Sequence, residues 1–288
     1  MSAVFIKEIK SYYTSITGYI TTAIMMLVSG IYIYAMNVEG SSGDFSSTFV
    51  NMAFIYFIVL IPLITMKTFA EEKKQKTDQL LYSLPIKTSG VVTGKFLSCC
   101  AVTAVPVVLM GLYPLIFSAY GNVNFLSAYS ALFGFFMLGA SLISIGMFFS
   151  SLTESQVVSA IITLVFILLG ELLPSLSEYI SSNAVAGAAV FMAMGLFVGF
   201  IVYFLTKNTV IGLSTAVVID LAIAVIYIVK KEWLEGLLPS IAEKLSLFSR
   251  FNDFSSGVFD LTSIFFFISV TCVFLFLTVQ SVEKKRWS

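Results

Sequence analysis

Reactive side chains are scarce in this sequence, and their types narrow the chemistry at once. The 288 residues hold no histidine, which removes Ser-His-Asp triads, HExxH zinc sites and histidine-ligated haem together. Cys99, Cys100 and Cys272 sit in apolar runs without CxxC spacing. They read as inert buried thiols rather than a disulfide framework or a thiolate metal site. Gly90, Gly94 and Lys95 come nearest to a phosphate-cradling loop, but only three residues separate the glycines and Phe96 follows the lysine where Ser or Thr is needed. Asp220 is the one carboxylate well inside an apolar run, and Glu171 lies nearer the end of another. An acid placed there is a functional candidate by default, and as readily a satisfied structural one. No second aspartate stands beside Asp220 to form a protease pair. No catalytic residue, cofactor or metal site is expected, so the chain does not read as an enzyme.

The elements that position these groups belong to a bilayer. The chain is 58% hydrophobic and 11% charged, whereas soluble domains carry roughly 25% charge. Its 28 Phe and 13 Tyr would need an implausibly large core in water, while hydrocarbon solvates every helix. Apolar runs of about 18 residues or more fall at residues 19–36, 49–66, 96–119, 130–149, 157–173, 185–205, 210–228 and 262–279. The expected fold is therefore an all-α polytopic helix bundle of about eight spans in one transmembrane domain over residues 1–288. Residues 185–228 read either as two spans or as a bent hairpin, and the total stays even. Counting Lys and Arg on alternate sides gives twelve against four, which puts both termini in the cytoplasm by the positive-inside rule. The first run is too long for a signal-peptide core and lacks a small-residue cleavage site, so an uncleaved helix is expected. Ahead of it, Phe5, Ile9, Tyr12, Tyr13 and Ile16 recur at helical spacing opposite Lys7, Lys10 and Thr14. That pattern predicts a helix over residues 1–18 lying in the inner interface. Gly134, Gly139, Gly146 and the Gly195/Gly199 pair allow close helix approach.

Two segments outside the spans draw attention. Residues 67–95 carry the densest charge in the chain. Glu72 precedes Lys76 by four and Glu71 precedes Lys74 by three, an order that supports an exposed helix. Leu80, Leu81 and Leu84 then form an apolar patch, Pro85 stops the helix, and Thr88 or Ser89 caps the next one. A projecting helix of this kind wants a protein partner or the membrane surface; a solvated loop is the plainer alternative. On the other side, residues 230–260 show a stripe of Leu234, Leu237, Leu238, Ile241, Leu245 and Phe248, broken near Pro239, with Trp233 suited to an interface. They read as two short amphipathic helices at the outer leaflet, either packed on helix ends or gating.

The stretch FAEEKKQKTDQLLYSLPI followed by GKFL resembles the segment after the second span of type 2 ABC transporter permeases, particularly the gliding-motility-type branch. Glu71, Glu72, Thr77, Asp78, Leu80, Leu81, Pro85, Gly94 and Lys95 match that pattern; Lys76 and Gln79 depart from it, standing where Gly and Glu are common. FFSSLTESQ, with Thr153 and Glu154, resembles the family's inner turn between the fourth and fifth spans, and FSSGVFDL with the ending EKKRW also matches. The resemblance implies a six-span plan, to which this chain would add one hairpin near residues 185–229. It further implies that residues 67–95 hold a coupling helix, with Glu71, Glu72, Thr77, Asp78, Leu80, Leu81, Leu84 and Pro85 meeting a separate cytoplasmic ABC ATPase where ATP binds. A second permease subunit, identical or similar, an export function and a bacterial cytoplasmic membrane are implied with it. Two other classes compete. A secondary transporter would show several intramembrane ionisable residues and here has chiefly Asp220, and an immunity or anchor protein needs no transport path.

Overall fold

The computed structural model describes residues 2–77, 87–180, 246–256 and 260–287, with a few isolated positions between 192 and 244. Every described element is helical, and no strand occurs among the described residues. The chain divides into two compact units: Met1–Leu169 with Arg250–Ser288, and Gly170–Ser249. The second contains Ser246, whose hydroxyl donates to the Gly170 carbonyl at 3.2 Å.

The first unit is built from α1 (Ser2–Thr14), α2 (Ile16–Ile33) ending in a π-helical turn (Tyr34–Glu39), α3 (Phe45–Thr65) and the short α4 (Ala70–Lys74). Then come α5 (Thr88–Met110), α6 (Leu112–Phe117), α7 (Phe125–Leu152) and α8 (Gln156–Ile180), which continues past the boundary between the units. After residues 181–245, α9 (Leu247–Asn252), a 3-10 turn (Asp253–Ser256) and α10 (Leu261–Trp287) close the chain. Five stretches are long and apolar enough to cross a bilayer: Gly18–Glu39, Phe45–Lys74, Thr88–Phe117, Phe125–Leu152 and Leu261–Lys284. Gln156–Leu172 is a shorter apolar helix at the fifth expected span. The expected spans at 185–205 and 210–228 lie outside the described residues, as do most of the outer stripe and residues 78–86.

Helix α7 is the centre. Of its apolar window 67% is buried, against 17% for α10, so α7 is lined by protein while α10 shows most of its surface outward. It packs on α10, α3 and α5, and small residues permit the approach. A Cβ on Gly146 would stand 2.9 Å from the Thr65 Cβ. One on Gly134 would stand 2.6 Å from the Phe254 ring. The phenyl rings of Phe57 and Phe135 meet at 4.5 Å between centroids, with Phe251 at 6.1 Å from Phe135. Near the end of the 230–260 segment, Phe251 and Phe254 are buried in the bundle.

The two ends differ in how they satisfy helix termini. At one end, Asp44, Asn124 and Asp260 cap α3, α7 and α10 by accepting from amides of the first turn. Asn37, turned inward by the π-helical turn, donates to Ser42 O at 2.8 Å and accepts from the Thr48 hydroxyl at 2.8 Å. The Ser46 hydroxyl sits 2.6 Å from Asp44 Oδ1 and 2.9 Å from the Ser255 carbonyl, its one hydrogen shared between the two acceptors. At the other end, α5 begins without a side-chain cap. Its N-cap is Lys87, so Thr88 and Ser89 lie inside the first turn rather than capping it. Helix α1, through Lys95, and the last turns of α10, through Ser151, both lie at this second end, which therefore carries both ends of the first unit.

Candidate functional site: the joint below the second span

Continuous helix fails between α3 and α4, and the failure sets up the site. Helix α3 ends at Thr65, residues 66–69 turn, and α4 restarts at Ala70. A helix end leaves carbonyls without amide donors and the next start leaves amides without acceptors, and next to hydrocarbon each must find a partner. Three other helices supply them. From α1, the Tyr12 hydroxyl donates to Ile64 O at 3.0 Å and lies 3.7 Å from Cys99 Sγ. Burial, then the neighbouring thiol, push that hydroxyl well above its ordinary pKa, so it stays a donor. From α5, Lys95 Nζ donates to Thr68 O at 2.7 Å. From α7, the Ser150 hydroxyl accepts from the amides of Phe69 at 3.2 Å and Ala70 at 3.1 Å, and lies 3.4 Å from Met66 O.

Charge reinforces the joint. Lys95 is 2% exposed, and a buried ammonium is tolerated only when paired and fully hydrogen-bonded. Its remaining two protons face Glu8 Oε1 of α1 at 3.0 Å and Glu72 Oε1 of α4 at 2.9 Å. The Phe69 ring lies 5.3 Å away, within cation–π reach. Lys7 approaches the same two oxygens, at 3.4 Å from Glu72 and 3.7 Å from Glu8. Lys73 donates to the Ser151 carbonyl, which also accepts from Ser281 of α10 at 3.4 Å. Two lysines and two glutamates thus neutralise each other beside a cleft of about 330 Å³. Glu71, Gln75 and Thr77 line its rim.

Of the residues singled out in the sequence, Glu71, Glu72 and Thr77 come together here. Glu71 accepts from Gln75 Nε2 at 3.3 Å. The Thr77 amide closes the turn on Glu72 O at 2.9 Å. The expected Glu72–Lys76 helix pair does not form. Helix α4 is five residues long and Lys76 takes a left-handed backbone at φ 57°, which rotates its side chain off that face. Glu72 turns inward to Lys95 instead. Asp78, Leu80, Leu81, Leu84 and Pro85 lie outside the described residues. Thr153 and Glu154 form the turn between α7 and α8, two and three residues beyond Ser151; Thr153 is half-buried, its hydroxyl 3.4 Å from Ser155 O, and Glu154 is exposed. Asp220 is helical and lies elsewhere, in the second unit; its Oδ1 finds no hydrogen-bond partner among the described residues. Gly90, Gly94 and Lys95 are helical, so no phosphate-cradling loop exists there. No cluster of metal-ligating residues occurs among the described residues.

Sequence reasoning missed the roles of Glu8, Lys95 and Ser150. For Lys95 a signal was present: a lysine just inside an apolar run must find an acid, and Glu8, Glu71 and Glu72 are among the carboxylates that the sequence puts near that end.

A family model described as ABC-2 family transporter protein matches residues 2–281. No curated protein and no solved structure matches the chain significantly.

Proposed function

The chain belongs to the ABC-2 family of transporter proteins, and from that premise we propose that it is the permease subunit of an ATP-driven exporter, working with a separate cytoplasmic ATPase. It is an integral membrane protein and a membrane component of an ABC transporter. In this reading residues 67–95 are the coupling segment. Asp78, Leu80, Leu81, Leu84 and Pro85 dock on the ATPase, while Glu71, Glu72 and Thr77 join that contact to the bundle. The inner turn at Thr153 and Glu154 flanks it. Both termini face the cytoplasm of a bacterial cell, eight spans cross the membrane as one permease domain, and a second permease subunit completes the path. Asp220 is the candidate functional acid within the membrane.

One observation carries the reading: the short helix leading into the apolar Leu80–Leu84 stretch is anchored by α1, α5 and α7 at once, so force applied to it reaches several spans. An ordinary connecting loop needs no such anchorage. Leu81→Asp tests the reading by placing an unpaired charge in the proposed contact, which should weaken ATPase association by several kcal/mol where the contact is dry. Copurified ATPase and ATP turnover should fall sharply, while Ser42→Asp at the opposite end leaves both intact. Normal association and turnover in Leu81→Asp would refute the docking role.

A further inference from the structure

We propose that Lys95 is a positioning residue that carries displacement of the inner connection into α5 and α1, as a second route beside the covalent one into α3. The proposal rests on the ATP-coupled reading above. Its starting point is that the cluster is a poor way merely to hold helices together. Burying an ammonium with carboxylates sacrifices hydration, and apolar side chains of similar size commonly hold a contact as well or better. What the charges add is a shared link, in which each glutamate faces one lysine on α5 and one on α1. Glu72 Oε1 lies 2.9 Å from Lys95 and 3.4 Å from Lys7, and Glu8 Oε1 lies 3.0 Å and 3.7 Å from the same two groups. A displacement of α4 through Glu72 is therefore met by α5 and α1 together, with no charge left bare. The adjoining cleft, walled by α1 and residues 67–77 with Lys95 in its lining, gives room for that motion.

The geometry also decides which elements follow. Lys95 is fixed on α5 and bonded to Thr68 O, so a pull on Glu72 acts on α5 near its start. Helix α1 is bound to the same element: Glu8 meets Lys95, and the Ser98 hydroxyl donates to Phe5 O at 3.2 Å. Lys7, with its side chain 62% exposed, is free to turn with a retreating Glu72. Helix α1 thus moves as a part of the coupling machinery, in register with α4.

Spin labels on the intact complex in nanodiscs, with and without ATP plus vanadate, which traps ADP and vanadate after hydrolysis, test this. The background carries Cys272→Ser, since that thiol is exposed while Cys99 and Cys100 are buried. Labels at Lys74→Cys and Ser42→Cys read whether the inner connection moves against the far end. Labels at Lys10→Cys and Lys74→Cys read whether α1 follows. Nucleotide should change the first distance and leave the second constant. In Lys95→Met the second distance should shift with nucleotide by about 2 Å or more, and Lys95→Arg should restore constancy. Lys7→Met, on an exposed side chain, should give the same nucleotide-dependent shift if Lys95→Met fails to fold. A Lys10–Lys74 distance that varies with nucleotide in the unsubstituted chain overturns the inference and leaves the ATP-coupled reading standing. So does one that stays constant in the charge variants, or that changes in them equally without nucleotide. A Lys74–Ser42 distance indifferent to nucleotide overturns that reading, and the inference with it.

Discussion

Removing the Ser150 hydroxyl would strand two buried amides, those of Phe69 and Ala70, with no acceptor at hand. Ser150→Ala should destabilise the folded protein by about 1–3 kcal/mol, the cost of leaving buried donors unsatisfied. Thermal unfolding in detergent reads it, and an unchanged midpoint would mean that the joint is held elsewhere. At the opposite end Asp44 behaves as a titrating cap. Burial alone would raise its pKa, but hydrogen bonds from Ser46 and Ser47 outweigh that and hold it below the ordinary 3.8. A depressed carboxylate contributes stability above its unfolded value, and the contribution is lost as pH falls through the folded value. Asp44→Ala should therefore cost about 0.5–2 kcal/mol at neutral pH, and the difference from the unsubstituted protein should shrink as pH drops below about 3.9. A constant difference down to pH 2 would sink the assignment.

At the scale of elements, the test of helix approach is Gly146→Ala. The new methyl would meet Thr65 on the neighbouring helix, and overpacking of this kind costs about 1–3 kcal/mol. Gly30→Ala, with nothing within 4 Å, should be neutral or mildly stabilising through helix propensity. Equal effects from the two would contradict the α3–α7 contact. These elements were legible in different degrees. The five long helices could be read from apolar runs because hydrocarbon imposes one rule on every spanning segment. The glycines at 134 and 146 were legible as contacts, since a missing side chain in a crowded helix has few other uses. The joint was only half legible. Glu71, Glu72 and Thr77 stood out by type and spacing, but which lysine answers Glu72 is settled by a tertiary contact across 23 residues. The sequence-local partner, Lys76, is lost to a left-handed turn. Ser150 lies within the FFSSLTESQ run that resembles the family's inner turn, but its bonding gave no signal, because a serine in a buried helix looks the same whether its hydroxyl turns back on its own helix or reaches across to another.

For the whole molecule, the charge split and the structure bear on different parts of one topology. Contacts put α1 and the end of α10 at the same end of the first unit, with Ser42 at the other. From the lysine and arginine counts we propose that this shared end is the cytoplasmic one. Single cysteines replacing Ser83 and Thr153 should resist an impermeant reagent applied from outside, while one at the exposed Ser42 should react. Labelling at Ser83 or Thr153 would invert the arrangement. One contact at the Ser42 end also has a bearing on biogenesis. Ser46 and Ser255 meet although 209 positions separate them along the chain, so the start of the second span waits for its last partner until most of the protein has been synthesised. During that interval the mouth of the bundle lacks the rings of Phe251 and Phe254, and the pocket against Gly134 that Phe254 fills stands open to lipid. Insertion of the final helix is then the event that seals the bundle. A ribosome stalled before residue 250 should leave in the membrane a bundle whose far end admits reagents excluded from the finished protein.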